Sequence, residues 1–189
     1  MIREQRQTAL APLYGHVLEI GFGTGLNLSC YPAQVTELTT LDTEQMLSKR
    51  VAKRIKDAHL PVTQVKLDAS SRLPFKDDTF DCVVTTFTLC SIRDVRSALA
   101  EIHRVLSPDG KYVFLEHGRS DDMRVAKRQD FFNPIQQWVA CGCNINRPID
   151  QLVAGADLQI QTLDRYLMPN TPRIFAEMYR GVATKLCGP

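Results

Sequence analysis

Short apolar runs alternate with stretches of helical periodicity along most of this chain. The first run, His16-Val17-Leu18-Glu19-Ile20, is followed at once by Gly21-Phe22-Gly23-Thr24-Gly25. A second, Glu37 to Leu41, ends at Asp42, and a third, Val62 to Leu67, ends at Asp68. Phe80-Asp81-Cys82-Val83-Val84 is apolar enough to form a strand buried on both faces, and Lys111 to Glu116 predicts a fifth. Between these runs the period changes. Leu47, Val51 and Ile55 recur at helical spacing within 43–58, and Arg93 to Leu106 carries a stripe of Val95, Ala98, Leu99, Ile102, Val105 and Leu106. Ser107-Pro108-Asp109-Gly110 is a stop signal for that second helix. Residues 120–140 predict another helix, with Phe131, Phe132, Ile135 and Trp138 most simply packed on the core and Pro134 kinking or splitting it. Leu158–Tyr166 and Glu177–Lys185 predict two closing antiparallel strands. The alternation implies an α/β fold of βαβ units around a parallel sheet.

The glycine turn is the first candidate for chemistry. Such a turn between a strand and a helix lets a ligand approach the backbone closely. From Gly21 the order is G-F-G-T-G-L, so Leu26 holds the place where the dinucleotide fingerprint requires its last glycine. No Gly-Lys-Ser/Thr follows, which excludes a P-loop. Glu19, two residues before the turn, would repel a pyrophosphate and favour a cation, such as a sulfonium carrying an ammonium group. Asp42 ends the second strand, where a carboxylate can take both hydroxyls of a ribose or cap the next helix. Asp68 and Ala69 end the third, placed for an adenine edge. Carboxylates at the C-terminal ends of successive strands fit the crevice rule for open α/β sheets.

Together, VLEIGFGTG (17–25), Asp42, LDASSRLPFKDDTFDCVV (67–84) and LAEIHRVLSPDGKYVFLEHG (99–118) resemble the class I S-adenosylmethionine-dependent methyltransferases. The resemblance implies a Rossmann-like α/β fold: a seven-stranded, mostly parallel sheet with a C-terminal antiparallel hairpin and helices on both faces. It implies S-adenosyl-L-methionine as cofactor. It assigns Glu19 and the Gly21 backbone to the ammonium and carboxylate end, and Gly23 and Gly25 to close approach. Asp42 with Thr43 falls at the ribose, Asp68 with Ala69 at the adenine, and Thr86 beneath the methionine portion. Met46 is either the apolar residue packed on the adenine or a core helix residue.

A narrower resemblance lies in GTGLNLSCYP (23–32), VVTTFTLCSI (83–92), EHG (116–118), FFNPIQQWVACGCNINR (131–147) and MYRGVATK (178–185). These are similar to the methyltransferase-like 7 group of small thiol S-methyltransferases. Quinone and phospholipid methyltransferases share most of the same motifs. The expected acceptor is therefore small and apolar, with a thiol sulfur ranked before a phospholipid amine and a quinone-type carbon or oxygen. Readings of another class are a nucleotide-dependent oxidoreductase and a non-catalytic cofactor-binding module. His117 sits where a base would reach the cofactor cleft, its other reading being a loop histidine bonded to backbone. Asn144 and Arg147 would order the loop on the substrate side or hold a polar acceptor. Phe131, Phe132, Ile135 and Trp138 would, in the alternative to core packing, form an apolar lid over the substrate.

Composition narrows the partners. At 189 residues the chain is expected to be one domain, with 1–118 as cofactor core and 119–189 as substrate lid and closing strands. Twenty-three basic against 21 acidic residues exclude a nucleic-acid binder held by bulk charge. No apolar run approaches the roughly 20 residues that span a bilayer, and MIREQRQTALAPLYG lacks both a signal-peptide core and the hydrophobic anchor of the methyltransferase-like 7 group. A cytoplasmic location is expected. Arg119, Arg124, Lys127 and Arg128 form either a solvated face or a peripheral contact with anionic lipid. Of six cysteines only Cys141 and Cys143 are close, and Cys-Gly-Cys lacks zinc-site spacing. Free thiols and no metal are expected, with Cys82 and Cys90 as small buried hydrophobes. The sequence leaves the oligomeric state open.

Overall fold

Val17, Cys82 and Val113 belong to one apolar layer, while their chain neighbours Leu18, Val83, Tyr112 and Phe114 belong to another. Strand side chains alternate between faces, so this division is that of a sheet covered on both sides. In the computed structural model, which describes residues 2–44, 49–140 and 142–186, that sheet has seven strands. They are β1 (Gly15–Ile20), β2 (Val35–Asp42), β3 (Val62–Lys66), β4 (Phe80–Thr86), β5 (Leu106–His117), β6 (Leu158–Leu167) and β7 (Glu177–Lys185). Their order is β3-β2-β1-β4-β5-β7-β6, with β7 antiparallel to both neighbours and the pairs among β1 to β5 parallel. The expected α/β architecture and its closing hairpin are both present.

Helices cover the two faces. On one, α3 (Val95–Val105) and α5 (Ile149–Ala154) pack Leu99, Ile102, Ile149 and Val153 against Leu18, Val83 and Phe114. On the other, Leu10 of α1 (Ile2–Leu10) and Val51 of α2 (Lys49–Lys56) join Val17, Cys82 and Val113. The start of α3 is capped by Asp94, whose carboxylate accepts from the Ser97 N–H at 3.1 Å. Across α4 (Met123–Val139) the chain then leads to the far rim of the sheet.

Four local expectations are corrected. The Ser107–Gly110 turn is not a break between α3 and the fifth strand. Strand β5 starts at Leu106, opposite Phe80, and the turn is an irregularity before Lys111 pairs with Cys82. Burial of Leu106 and Gly110 holds that detour on the sheet while Pro108 and Asp109 face solvent. No helix follows the glycine loop. Residues 26–30 form turns, closed by bonds such as Cys30 N–H to Asn27 O at 2.7 Å.

Pro134 does not split α4, which continues past it with the proline exposed on the solvent side. The aromatic stripe on α4 is not core: Phe131, Ile135 and Trp138 are 74%, 57% and 87% exposed. The buried face is Val125, Ala126, Gln129 and Asn133 instead. Gln129 accepts from the Ser120 N–H and donates to the Gly118 and Ile174 carbonyls, so a polar residue satisfies the loops it covers. Helices α1 and α5 had no counterpart in the periodicity. Met46 and Cys141 lie outside the described residues.

Candidate active site

Parallel strands end on a common edge, and that edge opens here into a cavity of about 1040 Å³. One wall consists of Gly21 and Gly23 after β1, Asp42 and Thr43 at the end of β2, and Asp68 with Ala69 beyond β3. Phe87 and Thr88 after β4 form its floor. The remaining wall, far along the sequence, includes Gln137, Gly142, Asn144 and Arg147 from the C-terminal part of α4 and the following loop.

The glycine loop is fixed by its neighbours. Gly21 has φ +81, and a Cβ there would sit 2.0 Å from the Thr88 hydroxyl oxygen, so no side chain fits. Gly23 is also left-handed, at φ +53, yet nothing lies within 4 Å of where its Cβ would be. Its N–H donates to Asp42 Oδ2 at 2.7 Å, tying the loop after β1 to the end of β2. Asp42 Oδ1 accepts from the Glu44 N–H at 3.3 Å, which fixes the turn leaving β2. Asp68 does the same beyond β3, accepting from the Ser70 N–H at 2.8 Å and so presenting Ala69.

Glu19 lies behind this loop and not in the cavity wall. It accepts from Asn27 Nδ2 at 2.7 Å and from the Tyr31 hydroxyl at 2.8 Å. Arg6 of α1 bonds the same Asn27 and Thr86, at 2.5 and 2.9 Å. Burial pushes the Glu19 carboxyl up to about 7, against the pull of Tyr31, Asn27 and the Arg6 charge. Thr86 is held in this buried network, with Phe87 and Thr88 taking the cavity positions after it. Gly25 is likewise buried, close to Phe22 and Leu28. The structure thus gathers Gly21, Gly23, Asp42, Thr43, Asp68, Ala69, Asn144 and Arg147 around the cavity. Glu19, Gly25 and Thr86 stand one layer behind, and Trp138 points to solvent.

The far wall is ordered by its own polar groups. Asn144 Oδ1 accepts from Asn133 and Gln137, while its Nδ2 and N–H both donate to the Cys90 carbonyl at 2.9 Å. Arg147 donates to the Leu89 carbonyl. Both residues therefore clamp the loop after α4 onto the loop after β4.

That clamp brings together three side chains that sequence spacing did not connect. His117 is the last residue of β5, paired with Met178, rather than a loop residue beyond it. Its Nε2 lies 3.2 Å from Cys143 Sγ, and Cys90 completes the group, with all three ligand atoms within 4.8 Å of one another. The Cys90 thiol lowers Cys143 to about 7, and the same contact together with burial raises Cys90. Cys90 is thus more than an inert core residue. The signal available in sequence was only that Cys90, His117 and Cys143 all fall within the stretches carrying the narrower resemblance.

Residues 18–114 match the model of the methyltransferase domain family. The phosphatidylethanolamine N-methyltransferase of Cereibacter sphaeroides is 32% identical over 57% of this chain and 53% of its own length. The human thiol S-methyltransferase TMT1A is 31% identical over 69% of this chain and 54% of its own. The chain spans about half the length of these curated relatives. The crystal structure of the YcgJ protein from Bacillus subtilis superposes with a TM-score of 0.72 at 17% identity, covering 98% of this chain and 97% of that one, a likeness of fold. With the family match spanning β1 to β5 and the glycine loop and strand-end carboxylates gathered on one cavity, the chain belongs to the class I S-adenosylmethionine-dependent methyltransferase family.

Proposed function

We propose that this chain transfers a methyl group from S-adenosylmethionine to a small, apolar acceptor, with a thiol sulfur as the first candidate. The observation supporting this reading is one cavity lined both by Gly21, Gly23, Asp42 and Asp68 from the strand ends and by Gln137, Asn144 and Arg147 from α4 and the loop after it. The residues present suit the cofactor. The open space over Gly23 admits a close approach to backbone that any Cβ would obstruct. Asp42 and Asp68 supply acceptors for ribose hydroxyls and an adenine amine, and the buried Glu19, whose ionised form an incoming ammonium group would favour, stands behind the loop that would face that group. Bound there, the cofactor supplies an already activated, electrophilic methyl group on a sulfonium.

The protein's own work is then alignment and exclusion of water. Gly21 and Gly23 position the cofactor backbone, and Asp42 holds the ribose while bracing Gly23. Gln137, Asn144 and Arg147 shape the acceptor side. Among the described cavity-lining residues the carboxylates, Asp42 and Asp68, stand on the cofactor wall. Arg147 therefore favours an acceptor that enters as an anion, such as a thiolate. The exposed Phe131, Ile135 and Trp138 extend an apolar surface along the helix that carries Gln137, which suits an apolar acceptor or a lipid surface as its source.

A radiolabelled donor incubated with panels of thiols, phospholipids and quinols tests this reading. Label recovered on thiols supports the ranking, and label recovered only on phospholipid or quinol moves the acceptor to those classes. No transfer to any panel, with the cofactor bound, would leave a binding module in place of an enzyme.

A further inference from the structure

Two thiols and an imidazole converge from three separate segments: Cys90 after β4, His117 at the end of β5 and Cys143 after α4. Their ligand atoms lie within 4.8 Å of one another, and the Cys143 Sγ to His117 Nε2 distance is 3.2 Å. Tetrahedral zinc with bonds of about 2.3 Å to sulfur and about 2.0 Å to nitrogen needs its ligands roughly 3.5–4 Å apart, so the group closes on a metal with side-chain shifts of about 1 Å or less. The backbone already holds it there. The Cys90 carbonyl receives two hydrogen bonds from Asn144, the residue after Cys143, and β5 pairing fixes His117. Hydrogen bonds that orient ligands before the metal arrives are the mark of a built site.

We infer that Cys90, His117 and Cys143 form a binding site for a soft divalent metal ion of the zinc class. Thiolate and imidazole donors select zinc-class ions over magnesium or calcium, which take oxygen ligands. Three protein ligands leave one coordination position open. The neighbours of both cysteines, Ser91, Gly142 and Asn144, line the cavity, so the group lies beside it. Two thiolates neutralise the ion's charge. The site is independent of which acceptor the chain methylates.

The test uses untagged protein purified under reducing conditions, with metal content measured by mass spectrometry after dialysis against zinc, and the metal-free protein titrated with cobalt(II). The expected result is one zinc per chain, and a cobalt spectrum with sulfur-to-metal charge transfer and tetrahedral d–d bands. Cys143→Ser and Cys90→Ser should each weaken zinc by more than the roughly 100-fold that losing an outer-shell partner costs. Cys30→Ser, at a buried cysteine remote from the group, should leave it unchanged. Cys143 is only half-buried, so its serine variant keeps the fold, which circular dichroism checks. Zinc content equal in wild type and Cys143→Ser, or no metal bound by the reduced wild-type protein after dialysis against zinc, would overturn the assignment.

Discussion

Asp42→Asn removes one negative charge while keeping the shape of the side chain. In the folded chain Asp42 Oδ2 accepts from Gly23 and Oδ1 from Glu44, at 2.7 and 3.3 Å. An asparagine has one acceptor oxygen, so one of those N–H groups would face an NH₂ instead. The residue is only partly buried, and the expected cost to folding is about 1 kcal/mol. The cost to binding is larger. If the two carboxylate oxygens take the two ribose hydroxyls, each charge-assisted bond contributes about 1.5–3 kcal/mol. Losing one and weakening the other gives about 2–3 kcal/mol, or roughly 30- to 150-fold in Kd. Titration calorimetry with S-adenosylhomocysteine reads the affinity, and urea unfolding without ligand reads the fold. An affinity within about threefold of wild type in a folded variant would mean that the ribose is bound elsewhere.

The two left-handed glycines should separate folding from binding. Gly21→Ala forces a Cβ against Thr88 and should cost well over about 2 kcal/mol in urea unfolding, whereas Gly23→Ala, with open space at its Cβ, should cost only about 1–2 kcal/mol while abolishing cofactor binding. The reverse pattern would contradict the proposed cofactor wall. Burial raises the Glu19 carboxyl from 4.5 to about 7, so its protonated form is favoured in the folded state. The stability it contributes is complete below about pH 4.5 and is lost as pH rises through about 7, amounting to about 3 kcal/mol. Glu19→Gln should therefore flatten the fall in unfolding free energy across that window, and an unchanged slope would refute the assignment. Trp138→Ala should leave the melting temperature unchanged, because the ring is 87% exposed, yet lower turnover of apolar acceptors. A marked loss of stability would show that the ring packs on the protein.

The part of the site that could be read in the sequence is the part built from consecutive residues. Strands β1 to β3 are short runs at or just after whose ends stand the loop glycines, Asp42 and Asp68, and a strand's end fixes where its next residues go. The far wall is different, because it depends on contacts between remote segments. Hydropathy ranks Phe131, Ile135 and Trp138 of α4 as core and so points them inward. Gln129 and Asn133 are buried instead, and each is satisfied by partners in loops that periodicity does not register. Cys90, His117 and Cys143 escaped for the same reason: no short spacing links them, and only strand order and the Asn144 clamp bring them together. The bonds that hold Thr86 are equally invisible in the sequence, because Arg6 comes from a helix with few apolar positions and draws the hydroxyl into the Glu19 network.

The central claim is that the cavity at the ends of β1, β2 and β3 is a site for S-adenosylmethionine. Titration calorimetry of the wild-type chain with S-adenosylhomocysteine, and separately with NADH, tests it most directly. The account predicts one S-adenosylhomocysteine per chain, with the binding heat lost in Gly23→Ala, and no heat with NADH. Binding of NADH without S-adenosylhomocysteine would contradict it.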